Sequence, residues 1–152
     1  MLNNKKIESV IEISKIAGNE IMNIYKSDFK YEMKNDRSPL TKADKRSNDI
    51  ICKSLQSLTP KIPVLSEESS DFSLKERSSW KKYWLVDPLD GTKEFIKRNG
   101  EFTVNIALMV DSKPVFGVIY LPNINHVYWG SELFGSYMIN DNNSQKTLKV
   151  SE

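Results

Sequence analysis

Trp84-Leu85-Val86-Asp87-Pro88-Leu89-Asp90-Gly91-Thr92-Lys93-Glu94-Phe95 is the stretch on which the fold and chemistry of this chain turn. The apolar run Tyr83 to Val86 reads as a buried strand. It delivers two aspartates, Asp87 and Asp90, into a Pro/Gly turn. Pro88 fixes one φ between them, so the backbone sets their relative directions. Gly91 permits a backbone that approaches a ligand closely. Thr92 adds a hydroxyl. A helical turn starting there and running through Ile96 would point its free N–H groups at the same place, where a phosphate would sit.

A second short apolar run, Ile62 to Leu65, ends in Ser66-Glu67-Glu68. Two strands that each end in carboxylates suggest an oxygen-ligand site for a hard divalent cation, most naturally Mg²⁺. Carboxylates gathered at adjacent strand ends repel one another. They are tolerable together only if protonated or neutralised by cations. Asp-Pro and Asp-Gly are also ordinary turn dipeptides, so a surface turn is the competing reading. The second acidic strand end weighs against it.

Working outward, the pattern predicts helices first and strands after. Ile7, Val10, Ile11, Ser14, Ala17, Ile21 and Ile24 recur at helical spacing, which predicts one amphipathic helix over about residues 3–27. Lys30 to Lys34 reads as a short strand and residues 35–39 as a polar loop. Thr41 can cap a second helix whose buried face is Ile50, Ile51, Leu55 and Leu58, ended by Thr59-Pro60. Strands follow near 62–66, 82–86, 102–110, 114–121 and 126–130, with Asp111-Ser112-Lys113 as a hairpin turn. Asp71 to Lys81 reads as a polar, mobile connection, and Asn140 to Ser144 as turn-rich. No repeat, low-complexity tract or domain boundary interrupts the chain.

Composition narrows the function classes. With 152 residues, one domain with its own core is expected. The 22 basic and 20 acidic residues leave a net charge of +2, too even to argue for a nucleic-acid polymer or a membrane surface. A mean hydropathy of −0.48 fits a globular chain. No apolar run approaches the roughly 18 residues of a membrane helix. The N-terminal Met1-Leu2-Asn3-Asn4-Lys5-Lys6 leads into a charged amphipathic segment and not a signal-peptide block. The single cysteine, Cys52, excludes an internal disulfide and suits a reducing compartment. It lies in a helical pattern, where buried packing is the expected role.

At Asp87-Pro88-Leu89-Asp90-Gly91-Thr92 the chain resembles the metal-binding signature of the inositol monophosphatase superfamily of Mg²⁺-dependent, lithium-sensitive phosphatases. The continuation through Lys93-Glu94-Phe95 to Leu108 is similar to the 3′(2′),5′-bisphosphate nucleotidase branch; inositol monophosphatases proper usually carry an Asn before this Phe. Pro63 to Glu68 and Ser38 to Asp44 fit the same branch, in the right order. The resemblance covers about Ile7 to Tyr128. It implies an α+β sugar-phosphatase fold, N-terminal portion, with helices packed on a mainly antiparallel sheet. It also implies removal of the 3′-phosphate of adenosine 3′,5′-bisphosphate to give AMP, with two or three Mg²⁺ ions, Mn²⁺ being an alternative. The family continues into a C-terminal half with a Trp-Asp-x-Ala-Ala-type motif that is missing from this sequence. The expectation is therefore a single metal-binding domain over residues 1–152, without the C-terminal half.

The resemblance also implies roles. Glu67, Asp87, Asp90 and the Leu89 carbonyl match the family's metal ligands, with Asp90 bridging two ions. Thr92 and Asp44 resemble the pair that orients and deprotonates the attacking water, and Glu67 belongs with them catalytically. Glu67, Leu89, Asp90, Gly91 and Thr92 would border the substrate, the Gly91 and Thr92 N–H groups holding its phosphate. An Asp–Thr hydrogen bond suits the water-orienting role, because the carboxylate polarises the hydroxyl. On sequence alone Asp44 reads equally as an acid favouring a helix N-terminus. The expected partner is a phosphorylated small molecule. A homo-oligomer through the uncovered sheet is expected too, in the cytoplasm or peripheral to the inner membrane. The alternatives are an inositol-phosphate phosphatase, or a non-catalytic remnant that binds metal or a partner.

Other residues carry less. His126, the lone histidine, reads as surface or packing. Glu68 is either a support for the site or a solvated neighbour. Lys93, Lys97 and Arg98 either steer a phosphorylated substrate or form a solvated helix face. Trp80, Trp84 and Trp129 could stack on a base, but apolar neighbours favour packing.

Overall fold

The computed structural model describes residues 2–34, 39–68 and 72–149. Of the polar loop expected at 35–39, residues 35–38 lie outside the described residues and Pro39 instead opens a strand; the first residue of the connection expected from Asp71 also lies outside them. Helix α1 spans Asn4–Tyr25, with the Asn3 side chain accepting from the Lys6 N–H at 3.0 Å. All seven positions named from its periodicity are buried. Helix α2 spans Lys42–Leu58 and opens on a capping box in which Thr41 and Asp44 satisfy each other's backbone N–H. It ends at Thr59, just before Pro60, where no helical N–H is available. Ile51 and Leu55 are buried on its inner face, with Ile50 and Leu58 packed at the margin.

Both helices cover one face of a seven-stranded sheet. Its strands are β3 Val64–Ser66, β4 Lys82–Asp90, β5 Thr103–Val110, β6 Lys113–Leu121, β7 His126–Ser131, β8 Gly135–Ile139 and β9 Gln145–Leu148, in that spatial order. Strands β3 and β4 run parallel; every other neighbour in this sheet pairs antiparallel. A separate antiparallel ribbon, β1 Tyr31–Met33 with β2 Pro39–Thr41, leads into α2. The β5–β6 turn has Asp111 and Ser112 at φ 48° and 64°. Two successive left-handed residues are what a hairpin needs to match strand twist.

Alternation along β4 and β6 explains the layering. Trp84, Val86, Val118 and Tyr120 point into the helices, while Leu85 and Ile119 stay 40% and 47% exposed on the other face. Helix α1 approaches β6 so closely at Gly18 that a Cβ would meet the Tyr120 ring at 2.3 Å. The aromatic part of the core joins Tyr25, Phe29, Phe95 and Phe102 in tilted and edge-on contacts. No helix among the described residues is long and apolar enough to cross a membrane.

Four expectations need correction. The strand expected to stop at Val86 continues to Asp90, because β5 goes on pairing with it. Where a turn was expected there is a bulge: Asp87 faces Asn105 and Asp90 faces Thr103, one extra residue on β4. Within the connection read as polar and mobile, Leu74–Ser79 forms helix α3, held by a capping box between Ser73 and Glu76. Cys52 is only half-buried, with its thiol 3.3 Å from Asn48 Oδ1.

Candidate functional site

The parallel pairing of β3 with β4 brings the two acidic strand ends together. Ser66 is in register with Val86, and the Glu67 N–H donates to the Val86 carbonyl at 3.0 Å. Glu67 therefore leaves β3 at the level where Asp87 leaves the regular part of β4. The bulge then lifts Pro88 and Leu89 out of register. It is tied to α2, since Ser47 Oγ donates to the Pro88 carbonyl at 2.6 Å. Gly91 follows at φ 93°, with a Cβ position only 2.7 Å from the Glu101 carbonyl oxygen, so a side chain fits neither the backbone nor the space. Helix α4, Thr92–Lys97, starts there, as expected.

Thr92 and Asp44, 48 residues apart, meet. Thr92 Oγ1 lies 2.9 Å from Asp44 Oδ1 and 3.2 Å from the Leu89 carbonyl, so its one proton has two acceptors in reach. Asp44 is 1% exposed, and its other oxygen accepts from the Thr41 N–H at 2.7 Å and from Thr41 Oγ1 at 2.5 Å. One Asp44 oxygen thus caps the helix, as the helix-acid reading expects, and the other accepts from Thr92. Asp90 is exposed, and Asn105 Nδ2 donates to its Oδ2 at 3.1 Å. Thr103 Oγ1 bonds Asn105 Oδ1 at 3.0 Å, which fixes the amide with its NH₂ toward Asp90.

Asp87 is the electrostatic centre. Its Oδ1 is buried without a hydrogen-bond partner. Burial first, then the negative charges of Glu67 and Asp90, push its carboxyl from 3.8 up to about 7, against a hydrogen bond from the Leu89 backbone. Lys34 supplies the positive charge, with Nζ 2.5 Å from Glu68 Oε1 and 3.5 Å from Glu67 Oε1. Burial works against the Lys34 ammonium, but the bond and charge of Glu68 outweigh it and raise its pKa. Glu68 is also raised: burial, with Asp44 and Glu67 nearby, exceeds the relief from Lys34.

Among the described residues, no three acidic, histidine or cysteine side chains are drawn into a metal-holding cage. Glu67 is instead turned toward Lys34 and Asp90 toward Asn105. The donor set nevertheless fits a hard cation. It offers carboxylate and carbonyl oxygens, one of them buried and orphaned, in a place where negative charge is under-compensated. Beside it a concavity of about 990 Å³ begins at Glu67, Asp87 and Asn105 and runs over Leu85, Ile119 and Tyr128.

Lys34, Ser47 and Asn105 were not singled out from sequence. Each acts through a partner 15 or more positions away, and only the fold makes the pairing visible. The weaker candidates resolve toward packing. Trp84 is buried and donates to Thr59 Oγ1 at 2.9 Å. Trp80 packs edge-on against Phe72, and Trp129 stacks on Tyr137. Arg98 donates to the Tyr25 and Ser27 carbonyls and lies over the Phe29 ring, so it closes the end of α1.

Residues 3–152 match the model of the inositol monophosphatase family. The chain is 50% identical over 128 residues to the 3′(2′),5′-bisphosphate nucleotidase CysQ of Salmonella typhimurium, covering 83% of this chain and 52% of that protein. The crystal structure of CysQ from Bacteroides thetaiotaomicron superposes with a TM-score of 0.78 at 40% identity, over 97% of this chain and 53% of that one. Extragenic suppressor protein suhB from Bartonella henselae gives a TM-score of 0.83 at 27% identity, over 97% and 55%. The chain spans about half the length of these relatives.

Proposed function

The chain belongs to the inositol monophosphatase family, and from that premise we propose that it carries the metal- and water-holding part of a Mg²⁺-dependent phosphomonoesterase. The whole protein's reaction is removal of the 3′-phosphate of adenosine 3′,5′-bisphosphate to give AMP. The carrying observation is the hydrogen bond between Thr92 Oγ1 and the buried Asp44, placed on the carboxylate cluster of Glu67, Asp87 and Asp90. Sequence identity of 40–50% to proteins named 3′(2′),5′-bisphosphate nucleotidase supports the substrate class. On this reading residues 1–152 act as one metal-binding unit, and the full reaction needs the part of the family fold that the chain does not span.

Glu67, Asp87, Asp90 and the Leu89 carbonyl would hold the cations. Bound there, Mg²⁺ supplies the positive charge that neutralises the phosphoryl oxygens and makes the attacking water more acidic. The remaining work falls to protein groups. With its proton directed to Asp44 Oδ1, the Thr92 hydroxyl leaves its lone pairs to accept from a water and aim it. Asp44 can polarise that hydroxyl because its other oxygen is anchored in the capping box. The first-turn N–H groups of α4 lack intrahelical acceptors and would hold the phosphate, with Gly91 allowing close approach. Asn105 restrains Asp90.

A protein in which this chain is followed by the remaining half of the Salmonella relative tests the substrate class. With Mg²⁺ present, kcat/KM for adenosine 3′,5′-bisphosphate should exceed that for inositol 1-phosphate at least a hundredfold. Equal or reversed preference would move the chain to the inositol-phosphate side of the family.

A further inference from the structure

We infer that Lys34 is a tethered internal counter-ion that competes with the divalent cation for Glu67 and is drawn aside by Glu68 when the cation binds. The inference rests on the metal reading above and adds a competitor to it. Lys34 Nζ contacts two glutamates unequally: it lies 2.5 Å from Glu68 Oε1 and 3.5 Å from Glu67 Oε1. The glutamates differ in a matching way. The Glu68 side chain is 11% exposed and that of Glu67 55%. Glu68 is thus the fixed anchor and Glu67 the end open to solvent and to an incoming ion. A single positive charge between two carboxylates weakens each one's attraction for a second cation. A carboxylate anchor that keeps Lys34 off Glu67 restores that attraction.

The backbone supports such a role. Lys34 directly follows β1, and the ribbon that carries it runs through β2 into Thr41 and the Asp44 cap. Lys45 Nζ pairs with Glu32 Oε2 at 3.1 Å, linking the same ribbon to α2. The ammonium is therefore delivered by a structure joined at its other end to the water-orienting pair. The Lys34 side chain is 22% exposed, so its stem is packed while its head can pivot between the two carboxylates.

Calorimetric titration of the purified chain with MnCl₂ at low salt tests this, on wild type, Lys34→Met, Lys34→Arg, Glu68→Gln and the Lys34→Met/Glu68→Gln double variant. Circular dichroism of each variant confirms the fold. Lys34→Met should bind Mn²⁺ at least threefold more tightly than wild type, and Lys34→Arg should bind as wild type does. Glu68→Gln alone should weaken binding at least twofold, because Lys34 then falls onto Glu67. In the double variant the Glu68 effect should vanish. Lys34→Met binding equal to or weaker than wild type, with Mn²⁺ still bound by wild type, overturns the competition and leaves the metal reading standing. So does a Glu68→Gln effect that persists undiminished without Lys34, since it would be a simple loss of charge. Absence of Mn²⁺ binding from both wild type and Lys34→Met overturns this inference and the metal reading together.

Discussion

The two halves of β4 obey opposite rules. From Lys82 to Val86 the strand is in regular register with β5, is paired with β3 as well from Trp84 on, and is filled by Trp84, whose indole N–H finds Thr59 Oγ1. From Asp87 to Asp90 it is bulged, acidic and under-satisfied, with a buried oxygen lacking a partner and a carboxyl raised to about 7. The first half spends its side chains on stability. The second holds like charges together at a cost that only a cation or a proton relieves. Local conflict of this kind concentrates at functional sites, and here it begins within one residue of a fully consistent core.

The sharpest way to break the contrast is to exchange the consequences. Trp84→Ala should lower stability by about 4 kcal/mol, the usual scale for emptying a large aromatic site. Urea unfolding would measure it. The cation affinity of the molecules that stay folded should not change. A cost below about 1 kcal/mol would show that the first half of β4 is not the stabilising one.

Asp87→Asn should act in the reverse sense. The folded-state pKa of Asp87 lies above its ordinary value, so the folded chain holds this proton more tightly than the unfolded chain. Metal-free stability is therefore complete below about pH 4 and declines as pH rises toward about 7. Asn carries no charge and removes that decline. At pH 8 the metal-free variant should exceed wild type by roughly 2 kcal/mol, less than the full linkage value because the charge is shared with Glu67. At pH 4 the two should unfold alike. Equal stability at pH 8 would mean that the cluster carries no electrostatic strain.

The same division decides what the sequence discloses. Helix α1 is legible because seven of its nine buried positions stand out at helical spacing, and α2 because Thr41 and Pro60 mark its ends. The Asp111-Ser112 hairpin follows from turn chemistry alone. Strand β9, Gln145–Leu148, is nearly all exposed, so no apolar alternation announces it; it exists because β8 offers an edge. Helix α3 did carry a signal, the Ser73-x-x-Glu76 capping box, inside a segment whose polarity suggested only a connection. The bulge at Asp87–Asp90 depends on pairing with β5, which a turn reading of Pro88 and Gly91 overlooks. Within the site, the acidic strand ends are local signals. The meeting of Thr92 with Asp44 was expected from the family resemblance, whereas Lys34, Ser47 and Asn105 needed the fold.

The measurement that bears most directly on the whole account is calorimetric titration of this chain with Mg²⁺, beside Asp87→Asn and Asp90→Asn, at pH 8 where Asp87 is ionised. Wild type should bind, and each variant should bind at least tenfold more weakly, about 1.4 kcal/mol per site lost. Binding of equal strength in all three chains would contradict the account: the carboxylates at the end of β4 would then be a strained turn and not a cation site.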